Sequence, residues 1–487
     1  MELAKSRGAQ IRTRIKWVEE GEKSTKFFLN LEKTRAQGNI INRLVRQDNT
    51  IVSSSTEILN EIRDYYGNLY KENKTEKEIM QATSLLWKNI IFPQLKEEEK
   101  IKCDEELSEQ EISSALKTMK NGSSPGPDGI PVEFYKMFWK DLKKLFIEAM
   151  KYSQTIGKLS PTQRQGTISL IHKGKELSKD TLTNWRPISL TNADYKIFSK
   201  ALALRLSAVL PNIINENQGG FIKGRKISEL IRELDDIIDL EKSNPQSQSY
   251  TLSIDYSKAF DTISIVTIIE ALRMFNFGEN LISWIKALLT ERTANVKNGG
   301  SLSESFPLER GVGQGCPVSP LLFIIAVEIL ALNVRQDEKI LGIQLPNSTK
   351  SLKILQYADD TTIFLRNITH LKEVLAKIKQ FSLVSGLKLN EDKSKILKMN
   401  KQQMQISHLE NIKIVEKMKI LGIVFSSETL AGEALSDHVR CAVYGGSALN
   451  STLLLYMVLS SVVLTDRKPF AHNLLPHTID STSKDRE

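Results

Sequence analysis

The chain is expected to adopt an α+β fold in which an antiparallel sheet is backed by helices. Three observations predict this. Several segments repeat apolar residues at helical spacing and carry helix start and stop signals. Other short runs, such as "GTISLIH" and "YTLSIDYSKAF", are β-prone and bounded by turn residues. Two sites, "NGG" at 298–300 and "YADD" at 357–360, read as hairpin turns.

The helices come first in sequence. The first hundred residues are charged, helix-prone and poor in glycine, and residues 1–105 are expected to form a helical N-terminal extension. "SEQEISSALKTMKNG" has Ser108 and Glu111 at capping-box spacing. Ile112, Ala115, Leu116 and Met119 follow at helical period, and Gly122 stands at the stop. "SSPGPDG" must be a loop. Pro131 can open the next helix, which carries Phe134, Phe138, Leu142, Leu145 and Phe146 on related faces. After the "GTISLIH" strand, "DYKIFSKALALRLSAVL" is a helix that Pro211 should stop. "ISELIRELDDIIDL" is another, and "SNPQSQS" is a loop. "SPLLFIIAVEILAL" is a helix with Ser319 placed to cap it and Pro320 in its first turn. It is apolar nearly all round and should be buried. No internal repeat is evident.

Composition narrows the class. Hydrophobic residues make up 40% and charged residues 26%, as in a soluble globular chain of more than one subdomain. The net charge of +9 fits a polyanionic partner without requiring one. Cys103, Cys316 and Cys441 lie far apart and form no metal-knuckle spacing, so neither a disulfide partner nor a cysteine-bound metal is expected. The charged N-terminus has no apolar signal region, so the chain is expected to be intracellular, in nucleus or cytoplasm, and not secreted. From about Leu430 the character changes. Residues 441–465 carry no charge, and "STLLLYMVLSSVVL" is strongly apolar. Interspersed Gly, Ser, Asn and Thr and the short dense part argue against a membrane span. Membrane association is not expected.

Chemistry is carried by carboxylates. In "YTLSIDYSKAF", Leu252, Ile254 and Tyr256 alternate with Thr251, Ser253 and Asp255, which places Asp255 on the polar, accessible face. "KILQYADDTTIFL" puts Asp359 and Asp360 in a turn between two apolar runs. Alone, the pair reads as a polar turn. If the two strands are neighbours, three carboxylates converge, and their repulsion calls for cations. Hard divalent ions meet that need, and Mg²⁺ leaves positions for water and phosphate oxygens. A pair of such ions stabilises the attacking and leaving oxygens of a phosphoryl displacement.

These motifs resemble a known family. "LSIDYSKAFD", "GQGCPVSPLLF" and "YADD" occur in the order of a reverse transcriptase palm, most closely that of the non-LTR (LINE-type) retrotransposon enzymes. "GSSPGPDGIPVEFYK", "ISLIHKGKE…NWRPISLTNADYKIFSKALALRL", "ENQGGFIKGRKISELI", "SGLKLNEDKSKIL" and "KILGIVF" resemble further motifs of that family in order. The resemblance covers roughly residues 10–427. It implies a right-hand polymerase: fingers over 106–245, a palm with catalytic hairpin and primer grip over 246–427, and a reverse transcriptase domain over about 152–427. It implies RNA-directed DNA polymerase activity with an RNA template, a DNA primer, dNTPs and two Mg²⁺ ions, for which Mn²⁺ can substitute. It assigns Asp255, Asp359 and Asp360 to the metals, and Lys173 and Arg186 to the triphosphate, where an arginine fork matches phosphate oxygens. It makes Phe260 a steric gate against the ribose 2′-OH and places Gln314 and Gly315 under the nascent base pair. It gives Lys393 the protonation of leaving pyrophosphate, although Lys395 lies close by. Leu421 and Gly422 would form the primer grip.

The chain also departs from the family pattern. Gly313 stands where Arg or Lys is usual, and His172 replaces a proline, which is expected to loosen the loop at Lys173. Residues 428–487 resemble no thumb, and neither an endonuclease domain nor a Cys/His-rich region is seen. This pattern suits an element copy cut at its start and diverted near residue 427. Two rival readings follow: a decayed or domesticated nucleic-acid-binding remnant without turnover, and an organellar intron maturase. The "QGCPVSPLLF" and fingers motifs argue against the maturase.

Overall fold

The computed structural model describes residues 39–46, 48–174, 176–345, 351–400 and 408–426. The expectations for the tail over 428–487, and for Cys441, lie outside the described residues. Cys103 and Cys316 are both free and buried.

The N-terminal part is not wholly helical. A small hairpin, β1 (Leu44–Val45) with β2 (Ile51–Val52), turns at Asn49 and precedes the helices α1 (Ser55–Tyr70), α2 (Glu76–Trp87) and α3 (Glu97–Asp104). On α1, Ile58, Ile62, Tyr66 and Tyr70 recur every four residues and form its buried stripe. Capping boxes start α2 (Thr75 with Glu78) and α4 (Glu109–Thr118, Ser108 with Glu111), each stabilising by about 1 kcal/mol. Helix α5 (Val132–Thr155) follows Pro131 as expected, but only part of its apolar set is covered. Phe146 is buried, whereas Phe134, Phe138 and Leu145 are exposed.

After α6 (Pro161–Arg164), β3 (Gln165–His172) pairs antiparallel with β4 (Trp185–Thr191). Helix α7 (Ala193–Ile213) runs through Pro211 instead of stopping there. The proline falls in the last turn, where the backbone cost is confined to one lost N–H bond, and buried Leu210 and Ile213 hold the end in place. Helix α8 (Ile227–Ser243) leads to β5 (Tyr250–Ile254), then α9 (Ala259–Thr262), α10 (Ile265–Met274) and α11 (Glu279–Leu289). Strand β6 (Arg292–Asn298) turns at Gly299–Gly300 into β7 (Ser301–Leu302), and β8 (Phe306–Leu308) pairs β6. Helix α12 (Ser319–Gln336) is buried along most of its length. It is long and apolar enough to cross a membrane but serves as a core helix. Ser319 is not its cap: Val318 holds that position, and Ser319 lies in the first turn beside Pro320.

Strands β9 (Ile343–Gln344) and β10 (Ser351–Leu352) pair with each other. They precede the hairpin of β11 (Ile354–Tyr357) and β12 (Asp360–Leu365), and α13 (Leu371–Ser385) follows. Then come β13 (Lys395–Lys398), β14 (His408–Leu409), β15 (Ile412–Val415), β16 (Lys417–Ile420) and β17 (Ile423–Ser426).

Two sheets dominate. The six-stranded sheet has the order β11-β12-β5-β13-β15-β14. It is antiparallel except for β13 with β15, because β14 takes the edge and β15 inserts between it and β13. One face packs Leu252, Ile254, Ile363 and Ile396 into the main helical core. The other packs Phe364 and Leu397 against Leu234 and Ile238 of α8 and against Met418 of the β16–β17 hairpin. The polar face of β5 is therefore not open. Thr251, paired with Phe364 and Leu397, is fully buried, and only toward Asp255 does the strand emerge. The five-stranded sheet has the order β4-β3-β6-β7, with β8 also on β6. Ile168, Leu170, Ala294 and Val296 of this sheet pack against Ile58, Ile62 and Tyr66 of α1. It thus takes strands from both of the ranges expected as fingers and palm.

Candidate active site

A cleft of about 630 Å³ opens where the ends of the two sheets meet. Asp255, Asp359, Lys173, Arg186, Phe260, Gln314, Gly315 and Lys393 all line it. Asp360, Leu421 and Gly422 do not.

The acidic wall follows from pairing. Strand β12 lies antiparallel to β5 with Thr361 opposite Ile254, so Asp255 and the β11–β12 turn occupy the same sheet end. The two-residue turn, Ala358–Asp359, has Ala358 in the left-handed region at φ 57°, an uncommon conformation for a side chain with a Cβ. It is held from below by Gln218, which is fully buried. Gln218 Oε1 accepts from Ala358 N at 2.9 Å and from Gly220 N at 2.9 Å. Gly220 is needed there, since a Cβ would lie 2.4 Å from Ala358 N. Asp255 is stapled on both sides. Its N–H donates to Ser394 Oγ at 3.2 Å, and its carbonyl accepts from Asn390 N at 2.8 Å. Burial, then the charge of Asp255, raises Asp359 above the ordinary carboxylate range. Desolvation raises Asp360 to about 6, with the charges of Asp359 and Asp255 adding to it. Its residue nonetheless reaches solvent, so the charge contribution is the part that weighs here.

The metal expectation can be tested against these donors. Among the described residues no three His, Cys, Asp or Glu side chains form a ready-made cage. Two hard carboxylates at one sheet end do face the cleft, with mutual repulsion that a cation relieves. That fits a divalent ion taking one or two carboxylates, with the remaining positions open to water and phosphate. The third carboxylate expected to converge, Asp360, begins β12 opposite Tyr357 and points outside the cleft lining.

The basic wall is looser. Arg186 is exposed near the start of β4, paired through its backbone with Ile171 of β3, and its side chain has no hydrogen-bond or ion-pair partner among the described residues. Lys173 Nζ donates to Thr183 O at 2.8 Å; burial, then the charges of Lys393 and Arg186, lower its pKa. His172 is anchored at the base of the loop that carries Lys173. That ring packs edge-on to Trp185 at 4.9 Å, and Lys173 N donates to Asn184 O at 2.9 Å. Lys393 Nζ lies 4.0 Å from Asp255 Oδ2. Lys395, by contrast, pairs with Ser253 inside β13.

The floor carries Phe260 and Gln314. Phe260 lines the cleft with its ring stacked on Phe323 of α12 at 4.3 Å, so a core contact fixes the ring that faces the cavity. Gln314 O accepts from Ser189 N at 2.8 Å. Gly315, at φ 120°, leaves no room for a side chain against Ser189 O. Gly313 also lines the cleft, and a Cβ there would meet only the Ser189 side chain, at 3.2 Å.

The family model described as reverse transcriptase (RNA-dependent DNA polymerase) matches residues 171–425, more than half of the chain. The chain belongs to the reverse transcriptase family. Its relatives include the transposon TX1 uncharacterized 149 kDa protein of Xenopus laevis, 29% identical over 81% of this chain and 29% of that protein. The Retrovirus-related Pol polyprotein from type-1 retrotransposable element R2 of Popillia japonica is 29% identical over 59% of this chain and 39% of its own length. The corresponding polyprotein of type-2 element R2DM of Drosophila melanogaster is 24% identical over 76% and 35%. These relatives agree with the resemblance to non-LTR retrotransposon enzymes. The chain spans between about three tenths and two fifths of their length.

Other residues around the cleft carried no sequence signal of their role. Gln218 sits inside the quoted "ENQGG" run, but nothing marked it as the support of the aspartate turn. Lys258, in the left-handed region at φ 51°, buries its ammonium 4.7 Å over the Tyr65 ring and 5.2 Å over Tyr66. That ammonium finds no hydrogen-bond partner among the described residues, and burial lowers its pKa to about 8. Asp261 is 2% exposed, accepts from Tyr70 Oη, and is raised to about 6 by burial.

The β16–β17 turn, Leu421–Gly422, has both residues at positive φ, 49° and 88°, as a two-residue hairpin requires. Leu421 packs on the α8 side of the sheet, and neither residue lines the cleft.

Proposed function

We propose that this chain is an RNA-directed DNA polymerase that adds deoxynucleotides to a DNA primer on an RNA template. The observation that carries this reading is the single cleft bounded by Asp255 and Asp359 on one side and by Lys173 and Arg186 on the other. Carboxylates for cations opposite cations for phosphates suit phosphoryl transfer. In this reading the five-stranded sheet with β3 and β4 belongs to fingers and the six-stranded sheet to a palm.

Asp255 and Asp359 would hold the divalent ions, Mg²⁺ in the first instance with Mn²⁺ as substitute, and Asp360 would tune them from beside the cleft. When bound, the metals supply charge stabilisation for the attacking and leaving oxygens. The protein's residues do the rest. Arg186 and Lys173 grip the triphosphate, and Phe260 excludes a 2′-OH. Gln314 and Gly315 seat the nascent pair, while Lys393 stands beside Asp255 to donate a proton as pyrophosphate departs. The primer 3′-OH attacks the α-phosphate, and the bond to the β-phosphate oxygen breaks. Leu421 and Gly422 would meet the primer from outside the cleft. The chain would act inside the cell, in nucleus or cytoplasm.

Gly313 favours the second reading, a nucleic-acid-binding remnant without turnover, because it offers no side chain where the family usually has a cation. Extension of oligo(dT) on poly(rA) with dTTP and Mg²⁺ separates the two. The polymerase reading expects extension that EDTA abolishes. Binding of primer–template with no extension under Mg²⁺ or Mn²⁺ overturns it in favour of the remnant.

A further inference from the structure

We propose that Asp261 is a positioning residue through which the N-terminal helix α1 fixes the seat of the incoming nucleotide. The inference rests on the polymerase reading and deepens it. Asp261 follows Asp255 by six residues and lines the same cleft, but it is buried where Asp255 is only half-buried. Its carboxylate is bridged between two distant parts of the chain. Oδ1 accepts from the hydroxyl of Tyr70, the last residue of α1, at 2.8 Å. Oδ2 accepts from Gln314 Nε2 at 3.3 Å, and Oδ1 lies 3.5 Å from the same nitrogen. Burying a carboxylate this deeply costs stability unless its partners compensate, and a well-packed apolar residue would serve packing better. The arrangement is therefore explained by what it holds.

Gln314 reaches the cleft on a loop whose base is fastened to the same two elements. Tyr70 O accepts from Glu309 N at 3.1 Å and Arg310 N at 3.2 Å, and Leu69 O accepts from Arg310 Nε at 2.8 Å. Gly311 N donates to Ile263 O and Val312 N to Phe260 O, each at 2.7 Å. Gly311, at φ 80°, lies so close to Asp261 that a Cβ would stand 2.5 Å from its carbonyl oxygen. The end of α1, the Phe260–Ile263 segment and the Gln314 loop thus form one clamp. Within it the Tyr70–Asp261–Gln314 chain runs by side-chain hydrogen bonds from the end of α1 to a side chain that lines the cleft. Lys258 lies on the Tyr65 and Tyr66 rings of the same helix and contributes positive charge toward Asp261.

The test uses the full chain extending oligo(dT) on poly(rA). Tyr70→Phe removes one hydroxyl, and Asp261→Asn presents an amide that cannot accept from both partners as before. Each is expected to raise KM for dTTP about fivefold, with kcat changed less than twofold. The double variant should resemble either single one, because both break the same link. Unchanged KM with a lowered melting temperature would make Asp261 a packing residue and overturn the inference, as would multiplicative effects in the double variant. Tyr70→Phe carries the test if Asp261→Asn fails to fold. If no variant or wild type turns over, dTTP affinity in the presence of Mg²⁺ replaces KM: equal affinity in wild type and Tyr70→Phe overturns the inference, and no dTTP binding to wild type overturns both it and the polymerase reading. Wild-type extension with unchanged KM in the variants overturns the inference alone.

Discussion

On the acidic wall of the cleft, Asp255 and Asp359 project from backbone pinned by Ser394, Asn390 and Gln218. On the basic wall, Arg186 projects from β4 into open space, and Lys173 is tethered only through its own ends. The difference matches the role proposed for each wall. Divalent ions demand ligands at fixed distances, so their donors are held before anything binds. A triphosphate can be gripped by long side chains that close on arrival. Rigidity is spent where geometry is strict and freedom is left where reach is needed.

If the acidic wall is a fixed metal platform, Asp359→Asn or Asp255→Asn should lower kcat for dTTP incorporation by about a thousandfold. The melting temperature should stay within a few degrees, since neither carboxylate makes a packing contact that an amide cannot replace. Full activity in either variant would break the comparison at its stronger side. If the basic wall closes on phosphates, Arg186→Ala should raise KM for dTTP by about ten- to a hundredfold, the worth of a charge-assisted contact, with less effect on kcat. Steady-state kinetics at varied dTTP reads this directly. An unchanged KM would make Arg186 a solvated surface charge.

Phe260 lies between the walls and sharpens the contrast. It is fixed by stacking on Phe323, so Phe260→Val should open space next to the sugar without moving either wall. The ratio of rUTP to dTTP incorporation efficiency should rise by about tenfold. A constant ratio would mean that the ring serves only the core.

Much of this arrangement was legible in the sequence, for physical reasons. Alternation in "YTLSIDY" and the apolar flanks of "YADD" place aspartates at strand ends, and the Ser108–Glu111 capping box sets the start of α4. What was not legible depends on partners far away in sequence. Tyr66 and Tyr70 fall on the buried stripe of α1, and that spacing is fully explained by packing; nothing local reveals that a hydroxyl meets Asp261. The polar face of β5 looked accessible because the pattern could not show α8 covering it. The persistence of α7 through Pro211 and the parallel pairing of β13 with β15 likewise came from tertiary packing and strand order, which propensity does not encode. Phe134, Phe138 and Leu145 repeat at helical spacing yet remain exposed, a reminder that period alone does not guarantee a partner.

Buried acids outside the cleft provide a control for the acidic wall. Glu328 on α12 is fully buried and is pushed up to about 7 by burial, offset only in part by Arg335 and the Asn215 N–H. Its folded pKa exceeds its unfolded one. The stability it contributes is therefore complete below about pH 4.5 and is lost as pH rises through about 7. Glu328→Gln should flatten the fall in melting temperature between pH 5 and 8 by a few degrees, on the order of what one or two kcal/mol gives. An unaltered pH profile would mean that Arg335 neutralises the carboxylate fully. The smallest effect is expected at Gly313. Gly313→Arg needs only a small shift of the Ser189 side chain and adds a cation at the cleft. Template affinity should tighten a few-fold, with a steeper salt dependence by about one counterion.

The claim on which the rest depends is that Asp255 and Asp359 act as one divalent-cation site. Electron paramagnetic resonance of Mn²⁺, titrated into the full chain with dTTP present, tests it without requiring turnover. Wild type should bind Mn²⁺, and Asp359→Asn, folded to the same melting temperature, should bind it at least tenfold more weakly. Equal Mn²⁺ affinity in the two proteins would contradict the account.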